Sequence, residues 1–314
     1  MVKPKVSIIM SNYNSEEFVG QTISSVLAQT YTNFEFIIID DASTDNARNV
    51  MDSFGDERIK RYYLSNNEHM CYCFNLAIEK SSGKYLARID NDDTWEPKKL
   101  EKQIQYMENH TECGAIFTWA KIINEKDEVL TAEECERVTW FKTENMEQDE
   151  WIRYFYFNGS CLCHPSAVIR RDVLDVIGVY NYSLIQIQDY DLWVRIVKKY
   201  PIYVIKEELT NYRLFMSGKN VSAPSKTTIT RSNFEFTHVL SHYFDDVSDE
   251  MLIKAFGNDF MRKDVTTHED LECERMFLLL KPVFCGNLPR LGGMEKMIQL
   301  LQDDVTRKVL REKY

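Results

Sequence analysis

Two hydrophobic periods alternate along the first half of the chain. Apolar runs at 6–10, 34–39 and 85–89 are short and rich in isoleucine and aromatic residues, which is typical of buried strands. Between these runs, apolar residues recur at helical spacing, as in the segment 18–27. Strand–helix alternation of this kind predicts an α/β fold, with a mostly parallel sheet, right-handed crossovers and flanking helices.

Beyond about residue 136 the regular alternation of strand and helix patterns ends, and beyond 228 the hydrophobic spacing is mainly helical. We predict a first domain at 1–225, a loop at 217–225 and a helical C-terminal region at 226–314. Ser15 is predicted to cap the first helix, with two glutamates in its first turn. The predicted strands are 6–10, 34–39, 59–64, 85–89, 115–123, 164–170, 202–205 and 209–213. The later predicted helices are 71–80, 151–157, 171–177, 189–199, 233–243, 248–256, 271–280 and 294–312.

An acidic cluster directly follows the apolar run at 85–89. It reads Asp90-Asn91-Asp92-Asp93, and carboxylates this close repel one another unless a cation lies between them. In extended backbone Asp90 and Asp92 point to the same side. Mg²⁺ and Mn²⁺ prefer carboxylate oxygens and often take further ligands from a diphosphate. The cluster therefore favours a divalent metal site, and a plain acidic turn remains the alternative.

Polar residues also follow the first two predicted strands, at 11–14 and 40–45. An open α/β sheet binds its ligands outside the carboxyl ends of its strands. We therefore expect these two segments to meet the acidic cluster at one edge of the sheet.

Composition narrows the class of protein. The 314 residues are 44% hydrophobic and 28% charged, as in a soluble globular enzyme, and the net charge is −11. This acidity argues against nucleic acid as a partner and against broad binding to anionic lipid. The first apolar stretch is too short for a secretory signal, so we expect a cytoplasmic protein with reduced thiols. The spacing of the eight cysteines is not typical of a zinc site.

Several motifs, taken together and in order, resemble the family 2 inverting glycosyltransferases, which have the GT-A fold. The resemblance covers about residues 4 to 215. The matching segments are Val6-Ser7-Ile8-Ile9-Met10-Ser11-Asn12-Tyr13-Asn14, Ile38-Ile39-Asp40-Asp41-Ala42-Ser43-Thr44-Asp45, Gly83-Lys84-Tyr85 with Asp90-Asn91-Asp92-Asp93, and Gln188-Asp189-Tyr190-Asp191-Leu192-Trp193-Val194-Arg195.

The resemblance implies a nucleoside diphosphate sugar donor, with UDP favoured. Asp41 would accept a hydrogen bond from the uracil N3–H, since an ionised carboxylate accepts and does not donate. For Tyr13 the alternative is a core aromatic, and for Asp41 it is an N-cap of the next helix. The residues that would surround the nucleotide are Ser11, Tyr13, Asn14, Asp41, Asn67, Asp90 and Asn91.

The resemblance also implies the catalytic groups. Asp92 would bind Mn²⁺ or Mg²⁺ directly, and Asp189 would be the base that takes a proton from the acceptor hydroxyl. Asp191 points about 200° away around the helix, so its alternative role is a first-turn charge. His164, Asp191 and Trp193 are weaker candidates for contact with the donor or acceptor sugar, and a core histidine is an equal alternative for His164.

Two departures from the family pattern concern the donor. The segment 66–73 lacks the usual glycine and arginine, and the segment that begins Tyr212-Arg213 lacks the usual histidine. We expect inverting transfer to a hydroxyl of a glycan or lipid-linked oligosaccharide, in bacterial surface polysaccharide synthesis. For the helical C-terminal region we consider acceptor binding, homodimer formation, peripheral contact with the inner face of the cell membrane, and simple packing.

Other classes fit less well. A dinucleotide-binding oxidoreductase would need Gly-x-Gly-x-x-Gly after the first strand, and a P-loop enzyme would need Gly-Lys-Ser/Thr; neither is present. A sugar-nucleotide nucleotidyltransferase typically has a glycine-rich basic loop near its start, which is missing. The remaining alternative is a catalytically degenerate nucleotide- or carbohydrate-binding module.

Overall fold

A computed structural model describes residues 4–215, 218, 220 and 223–314 of the chain. It divides the chain into two compact units. The first consists of Met1–Asn145 and Cys161–Val221, and the second of Met146–Ser160 and Ser222–Tyr314. Several of the residues predicted as the loop 217–225 lie outside the described residues. The division into a catalytic domain at 1–225 and a helical region at 226–314 stays a prediction.

The first unit is built on one mixed sheet. Its described strands are β1 (Val6–Asn12), β2 (Phe34–Asp40), β3 (Ile59–Tyr63), β4 (Tyr85–Arg88), β5 (Thr94–Trp95), β6 (Ala115–Ile123), β7 (Val168–Arg170) and β8 (Ile202–Arg213). Their order in the sheet is β3-β2-β1-β4-β7-β6-β8-β5. The pairs β1–β2, β1–β4, β2–β3 and β6–β8 are parallel, whereas β7 is antiparallel to both of its neighbours.

Helices cover the sheet of the first unit. They are α1 (Val19–Leu27), α2 (Ala47–Asp52), α3 (Met70–Lys80), α4 (Lys99–Asn109), α6 (Arg171–Ile177) and α7 (Gln188–Val197). The central strands β2 and β4 are fully buried, and most of their side chains are apolar. The predicted α/β fold, with a mixed, mostly parallel sheet flanked by helices and a helical C-terminal region, is confirmed.

The second unit is helical. It contains α5 (Gln148–Asn158), α8 (Lys226–Ser241), α9 (Asp249–Phe256), α10 (His268–Leu280), α11 (Arg290–Gln302) and α12 (Asp304–Lys313). Aromatic side chains of α5 lie in its core, where the Tyr156 hydroxyl donates to the Leu278 carbonyl (2.9 Å). The Tyr243 hydroxyl donates to the Ile152 carbonyl (2.6 Å). These bonds fix α5 among helices that follow it by about a hundred residues in the sequence.

Several local elements differ from the predictions, including the strand predicted at 164–170, of which only 168–170 form β7 because 164–166 form a 3₁₀ helix. α1 begins at Val19 and not after Ser15, because the Ser15 hydroxyl donates to the Asn91 carbonyl instead of capping a helix. The short strand β5 was not predicted. The two strands predicted at 202–205 and 209–213 form one strand, β8, with a shift in its pairing to β6 near Trp119. The helix predicted at 294–312 is divided at Asp303.

Candidate active site

The loops that follow β1, β2 and β4 meet at the carboxyl edge of the sheet, and Asn12 joins them. Asn12 is fully buried. Its Nδ2 donates to Asp40 Oδ1 (2.9 Å) and to Ser43 Oγ (3.2 Å), while its Oδ1 accepts from Asn91 Nδ2 (3.2 Å). A single amide therefore fixes three predicted site segments relative to one another.

The loops after β1 and β2 are also tied together through Asn14. Its backbone lies in the left-handed region (φ 47°), which asparagine tolerates better than most residues. The Asn14 N–H donates to Ser43 Oγ (3.0 Å), and Asn14 Oδ1 accepts from the Thr44 N–H (2.8 Å). Asn14 is thus part of the scaffold of this edge, while the neighbouring Tyr13 side chain is 49% exposed and free to stack on a ligand.

Asp41 is buried, and both of its carboxylate oxygens accept backbone N–H groups. The donors are Glu68 (2.7 Å) and His69 (3.0 Å), in the loop after β3. Asn67 Nδ2 donates to the Asp41 carbonyl (3.3 Å). A carboxylate has about four lone-pair sites, so Asp41 retains acceptor capacity. Ala42 and His69, both non-glycine residues with positive φ, lie beside these contacts, and strained backbone of this kind is concentrated at ligand sites.

Asp90 has a cationic partner within the protein. Arg88, at the end of β4, donates through both terminal nitrogens to the Asp90 carboxylate (3.0 and 2.6 Å). The Arg88 guanidinium is buried and lies 4.4 Å from the centre of the Phe74 ring. Its bidentate geometry orients Asp90 and neutralises one of the three crowded carboxylates.

Asp92 and Asp93 lack such a partner. Burial, with a further contribution from the charge of Asp90, raises the pKa of Asp92 to about 7. Burial and the charges of both neighbouring aspartates raise the pKa of Asp93 well above its ordinary value. Asp93 Oδ1 accepts from the Arg213 N–H (2.7 Å), but its buried Oδ2 has no hydrogen-bond partner. The loop therefore contains more negative charge than the described side chains around it compensate.

Arg213, at the end of β8, donates a hydrogen bond to the backbone of the acidic loop. Its guanidinium is fully buried and donates to the Asp92 carbonyl (2.7 Å) and the Asn124 carbonyl (2.7 Å). It also donates to Asp127 Oδ1 (2.6 Å) and to Gln21 Oε1 (3.1 Å). Arg213 thus fixes the backbone of the acidic loop without using the Asp92 carboxylate.

The residues present fit a divalent cation bound mainly through Asp92. Its carboxylate is crowded by Asp90 and accepts from its own backbone N–H, and no other described residue donates to it. Across the part of the chain that the structure describes, no group of three or more His, Cys, Asp or Glu residues is arranged as a complete metal site. A metal here would therefore take further ligands from a substrate diphosphate and from water, as Mg²⁺ and Mn²⁺ commonly do.

Asp189 lies at the start of α7, within electrostatic reach of Arg88 and Asp90. Burial raises the pKa of Asp189, while the N–H of Tyr190 (2.8 Å) and the charge of Arg88 oppose that rise. The structure therefore brings Asp189 to the same acidic site as the loop after β4. A carboxylate with a raised pKa is a stronger base than an ordinary aspartate.

The three weaker sugar-contact candidates have structural partners. Asp191 forms an ion pair with Arg195 (2.6 Å), which also donates to the Ile177 and Gly178 carbonyls at the C-terminal end of α6. Trp193 has no exposed surface and packs edge-on against His164, which places it in the core; its contact with a sugar stays a prediction. His164 Nε2 is 2.8 Å from the Tyr180 hydroxyl, and burial and the charge of Arg88 lower the pKa of His164 well below its usual value.

The roles of Asn12 and Arg88 were not predicted from the sequence, although both residues organise this site. Arg88 offered a signal, because an arginine inside an apolar run that ends in three aspartates implies a buried ion pair. Arg213 was noted within a motif, but its contact with a loop 121 positions away in sequence has no local signal.

Comparison with known proteins identifies the family. A family model described as Glycosyl transferase family 2 matches residues 7–178, which is more than half of the chain. The putative teichuronic acid biosynthesis glycosyltransferase TuaG of Bacillus subtilis is 30% identical over 76% of this chain and 91% of TuaG. WfaP of Escherichia coli, a UDP-Glc:alpha-D-GlcNAc-diphosphoundecaprenol beta-1,3-glucosyltransferase, is 32% identical over 62% of this chain and 70% of WfaP.

A solved structure is similar over nearly the whole chain. S. aureus TarS 1-349 in complex with UDP-GlcNAc has a TM-score of 0.61 at 15% identity, covering 98% of this chain and 92% of that chain. The fold is thus that of the GT-A class of glycosyltransferases. The chain belongs to glycosyl transferase family 2 and is a glycosyltransferase.

Proposed function

We propose that this protein is an inverting, metal-dependent glycosyltransferase that uses a UDP-sugar. The observation that carries the proposal is the pairing of two kinds of carboxylate at one sheet edge: the crowded Asp92, and Asp189 with its raised pKa. TarS binds UDP and UDP-GlcNAc and WfaP uses UDP-Glc, which favours UDP over other nucleotides. Asp41, which retains acceptor capacity, would bind the uracil N3–H.

The proposed reaction is a single displacement. The acceptor oxygen forms a bond to the anomeric carbon while the bond from that carbon to the diphosphate oxygen breaks. The acceptor proton passes to Asp189, and UDP leaves with the bonding electron pair. Because the base and the leaving group lie on opposite sides of the sugar, the anomeric configuration inverts.

A bound Mn²⁺ or Mg²⁺ would supply Lewis-acid stabilisation of the charge on the diphosphate. Asp92 would hold it, Asp90 would remain oriented by Arg88, and Arg213 would keep the loop in place. We propose a glycan or lipid-linked oligosaccharide as the acceptor, in bacterial surface polysaccharide synthesis. TuaG and WfaP, which are named for such pathways or acceptors, support this. We further propose a cytoplasmic location, with peripheral attachment to the inner face of the cell membrane as an option.

The proposal is tested with purified protein, a panel of UDP-sugars, Mn²⁺ and glycan or lipid-linked acceptors. We expect UDP release coupled to a product whose anomeric configuration, read by NMR, is opposite to that of the donor. Asp189→Asn should bind UDP normally but lose transfer by about 10²–10⁴-fold, the usual contribution of a general base. Asp92→Asn should weaken Mn²⁺-dependent UDP binding itself.

Asp191→Asn is the matched comparison, since it removes an equal charge two residues further along α7. It should leave most of the transfer activity and lower thermal stability through loss of the Arg195 ion pair. If Asp191→Asn abolished transfer while Asp189→Asn did not, the base would be assigned wrongly. Pyrophosphate chemistry in place of transfer would indicate the nucleotidyltransferase alternative, and inert binding would indicate the degenerate module.

A further inference from the structure

A cavity of 340 Å³ lies in the first unit, at the edge of the sheet opposite to the acidic loop. Lys5, Asn33 and Lys84 line it and directly precede β1, β2 and β4, whereas the candidate active site follows the same three strands. β1 has 7 residues and is therefore about 20 Å long. One small ligand thus cannot occupy both the cavity and the candidate active site.

The lining of the cavity contains three cations and no carboxylate, although the net charge of the chain is −11. The cations are Lys5, Lys84 and Arg171. The two lysines share one carboxylate, that of Glu108, at 2.7 and 2.9 Å. Each ammonium group has three N–H donors, so both lysines retain donors for a further acceptor.

Arg171 forms no ion pair with any carboxylate among the described residues. Its guanidinium donates to neutral acceptors, including the Gly83 carbonyl (2.7 Å). Asp175 and Glu35 act on Arg171 only at longer range, and Glu35 is itself paired with Lys60 (2.6 Å). Burial lowers the pKa of Arg171, as expected for a partly desolvated cation without a close anion.

The backbone around the cavity is fixed by close packing at Gly83. A Cβ atom on Gly83 would lie 2.6 Å from the Ser7 backbone nitrogen, and the Gly83 N–H donates to Ser7 Oγ (2.8 Å). The Arg171 N–H donates to the Lys84 carbonyl (2.9 Å). The strand ends that carry the cations are thus held in place before a ligand arrives, which lowers the ordering cost of binding.

We propose that this cavity binds a phosphate group, either free or on a lipid headgroup. A phosphate accepts several hydrogen bonds at once, and guanidinium and ammonium groups are the side chains that bind it most strongly. The exposed Asn33 adds an amide donor to the three cations. A cavity of 340 Å³ is also large enough for a small organic ligand, so a phosphate ester fits as well as inorganic phosphate.

The test is isothermal titration calorimetry of the full-length chain with inorganic phosphate and with glycerol 3-phosphate, in the presence of EDTA. Native protein should bind in a single saturable process. Arg171→Gln and Lys84→Gln should each weaken binding by about tenfold or more, the effect of losing a charge-assisted hydrogen bond. Lys80→Gln removes a nearby lysine that does not line the cavity, so it is the control and should leave the affinity unchanged.

Asn33→Asp tests the cavity without removing any cation, since Arg171 also holds the backbone at Gly83. The new carboxylate has nearly the same shape as the amide and would compete with phosphate for the cations, so the affinity should fall by about tenfold or more. Asn49→Asp places the same charge on an exposed residue of α2 and is the matched control. Circular dichroism shows that each variant is folded.

Flotation with phosphatidylcholine vesicles, with and without phosphatidylglycerol, distinguishes the two sources of the phosphate. Flotation that requires phosphatidylglycerol and is lost in Lys84→Gln would assign the site to a lipid headgroup. Calorimetric binding without flotation would assign it to a soluble phosphate or phosphate ester.

The proposal is overturned if native protein binds neither soluble phosphate nor the anionic vesicles. It is also overturned if the two control variants weaken binding as much as the cavity variants, since only the overall charge would then matter. Asp92→Asn separates this site from the proposed donor site. Phosphate binding that changes in Asp92→Asn and is unaffected by Arg171→Gln would place the phosphate at the acidic loop and refute the cavity site.

Discussion

Asp93 is the residue whose environment is least favourable to its own charge. Its side chain is buried, one of its oxygens has no hydrogen-bond partner, and Asp92 and Asp90 are close enough to raise its pKa further. A group whose pKa is higher in the folded state than in the unfolded state stabilises the fold only while it is protonated. The protein therefore loses stability as pH rises through the folded-state pKa of Asp93.

Asp93→Asn should consequently raise the stability of the metal-free protein near neutral pH. The asparagine Oδ1 can still accept from the Arg213 N–H, whereas the uncompensated charge is gone. In thermal unfolding with EDTA, we expect a higher unfolding midpoint for Asp93→Asn than for the native protein at pH 8, because the raised pKa of the native carboxyl makes its ionisation in the fold unfavourable. The gain should shrink as the pH falls, because the native carboxyl then becomes protonated and uncharged.

Asp175→Asn, a substitution on the exposed surface of α6, is the control and should change stability little at any pH. A gain from Asp93→Asn that was largest at acidic pH would contradict the buried-charge explanation.

At the residue scale, the sequence predicts which carboxylates lie near one another, but not which arginines bind the acidic loop. Asp90, Asp92 and Asp41 were predicted because acidic residues at strand ends have a local signature. Arg88 pairs with Asp90 and Arg213 fixes the backbone of Asp92, through geometry that emerges only when β4 and β8 lie in one sheet. Long-range hydrogen bonds such as that from Arg213 to the Asp92 carbonyl cannot be read from either local segment.

Among the helices, α11 is the element whose sequence and position conflict most directly. Two consecutive glycines inside a helix cost about 1 kcal/mol each relative to alanine. They are explained by Ser241 and Leu280, which approach the helix more closely than any side chain would allow. Packing against α8 and α10 therefore overrides helix propensity at this point.

Gly292→Ala should accordingly destabilise the protein although alanine is the better helix former. The new Cβ would lie 2.6–2.7 Å from the backbone of Ser241, which cannot move as a flexible side chain could. We expect a loss of about 1–3 kcal/mol, typical of an overpacked core, measured as a lower unfolding midpoint by calorimetry.

Gly257→Ala is the matched control in the same unit. Its nearest atom would be 3.9 Å from the new Cβ, and its φ of −55° suits alanine, so stability should be unchanged or slightly higher. Equal effects of the two substitutions would show that the close approach of Ser241 is not what requires glycine.

At the scale of elements, most strands and helices were predictable because their hydrophobic periods are clear. The exceptions have tertiary causes. Ser15 has the chemistry of a cap, yet its hydroxyl is used by the Asn91 carbonyl. β5 consists of two residues and exists through its pairing with β8, so no local pattern indicates it. Asp303 divides α11 from α12 by capping the latter, a signal inside a continuous helical period.

The whole molecule has 49 acidic and 38 basic residues, and its predicted ligand is itself an anion. The arginines nearest the acidic loop are already used, Arg88 by Asp90 and Arg213 by four oxygens. Electrostatics therefore opposes the approach of a diphosphate unless a cation accompanies it.

UDP affinity should depend on a divalent cation and, without one, should depend on salt in an unusual direction. By calorimetry, removal of Mn²⁺ with EDTA should weaken UDP binding by about tenfold or more. Raising the salt concentration in EDTA should recover part of it, since screening reduces repulsion between like charges. Uridine, which lacks phosphates, is the control and should respond to neither change. Equal responses of UDP and uridine would refute this electrostatic account.

At the whole-molecule scale, the α/β class and the helical C-terminal region followed from the sequence, and the membership of α5 in the second unit did not. α5 lies between β6 and β7 in the chain, yet its aromatic residues pack with α9 and α10. Helical spacing reveals that such a face is apolar, but not which later helix covers it. None of the helices in the described part of the chain is long and apolar enough to cross a bilayer.

The buried guanidinium of Arg213 connects the surface turn at residues 124–127 with the acidic loop. Asp127 is half exposed and far from the acidic loop in sequence. Its carboxylate and the Asp92 carbonyl nevertheless both accept hydrogen bonds from the Arg213 side chain. Any insertion or substitution that shifts this turn would displace the Arg213 guanidinium and, through it, the backbone of Asp92. A substitution in this remote turn would thus change the position of the proposed metal ligand Asp92 without altering any residue proposed to contact the nucleotide.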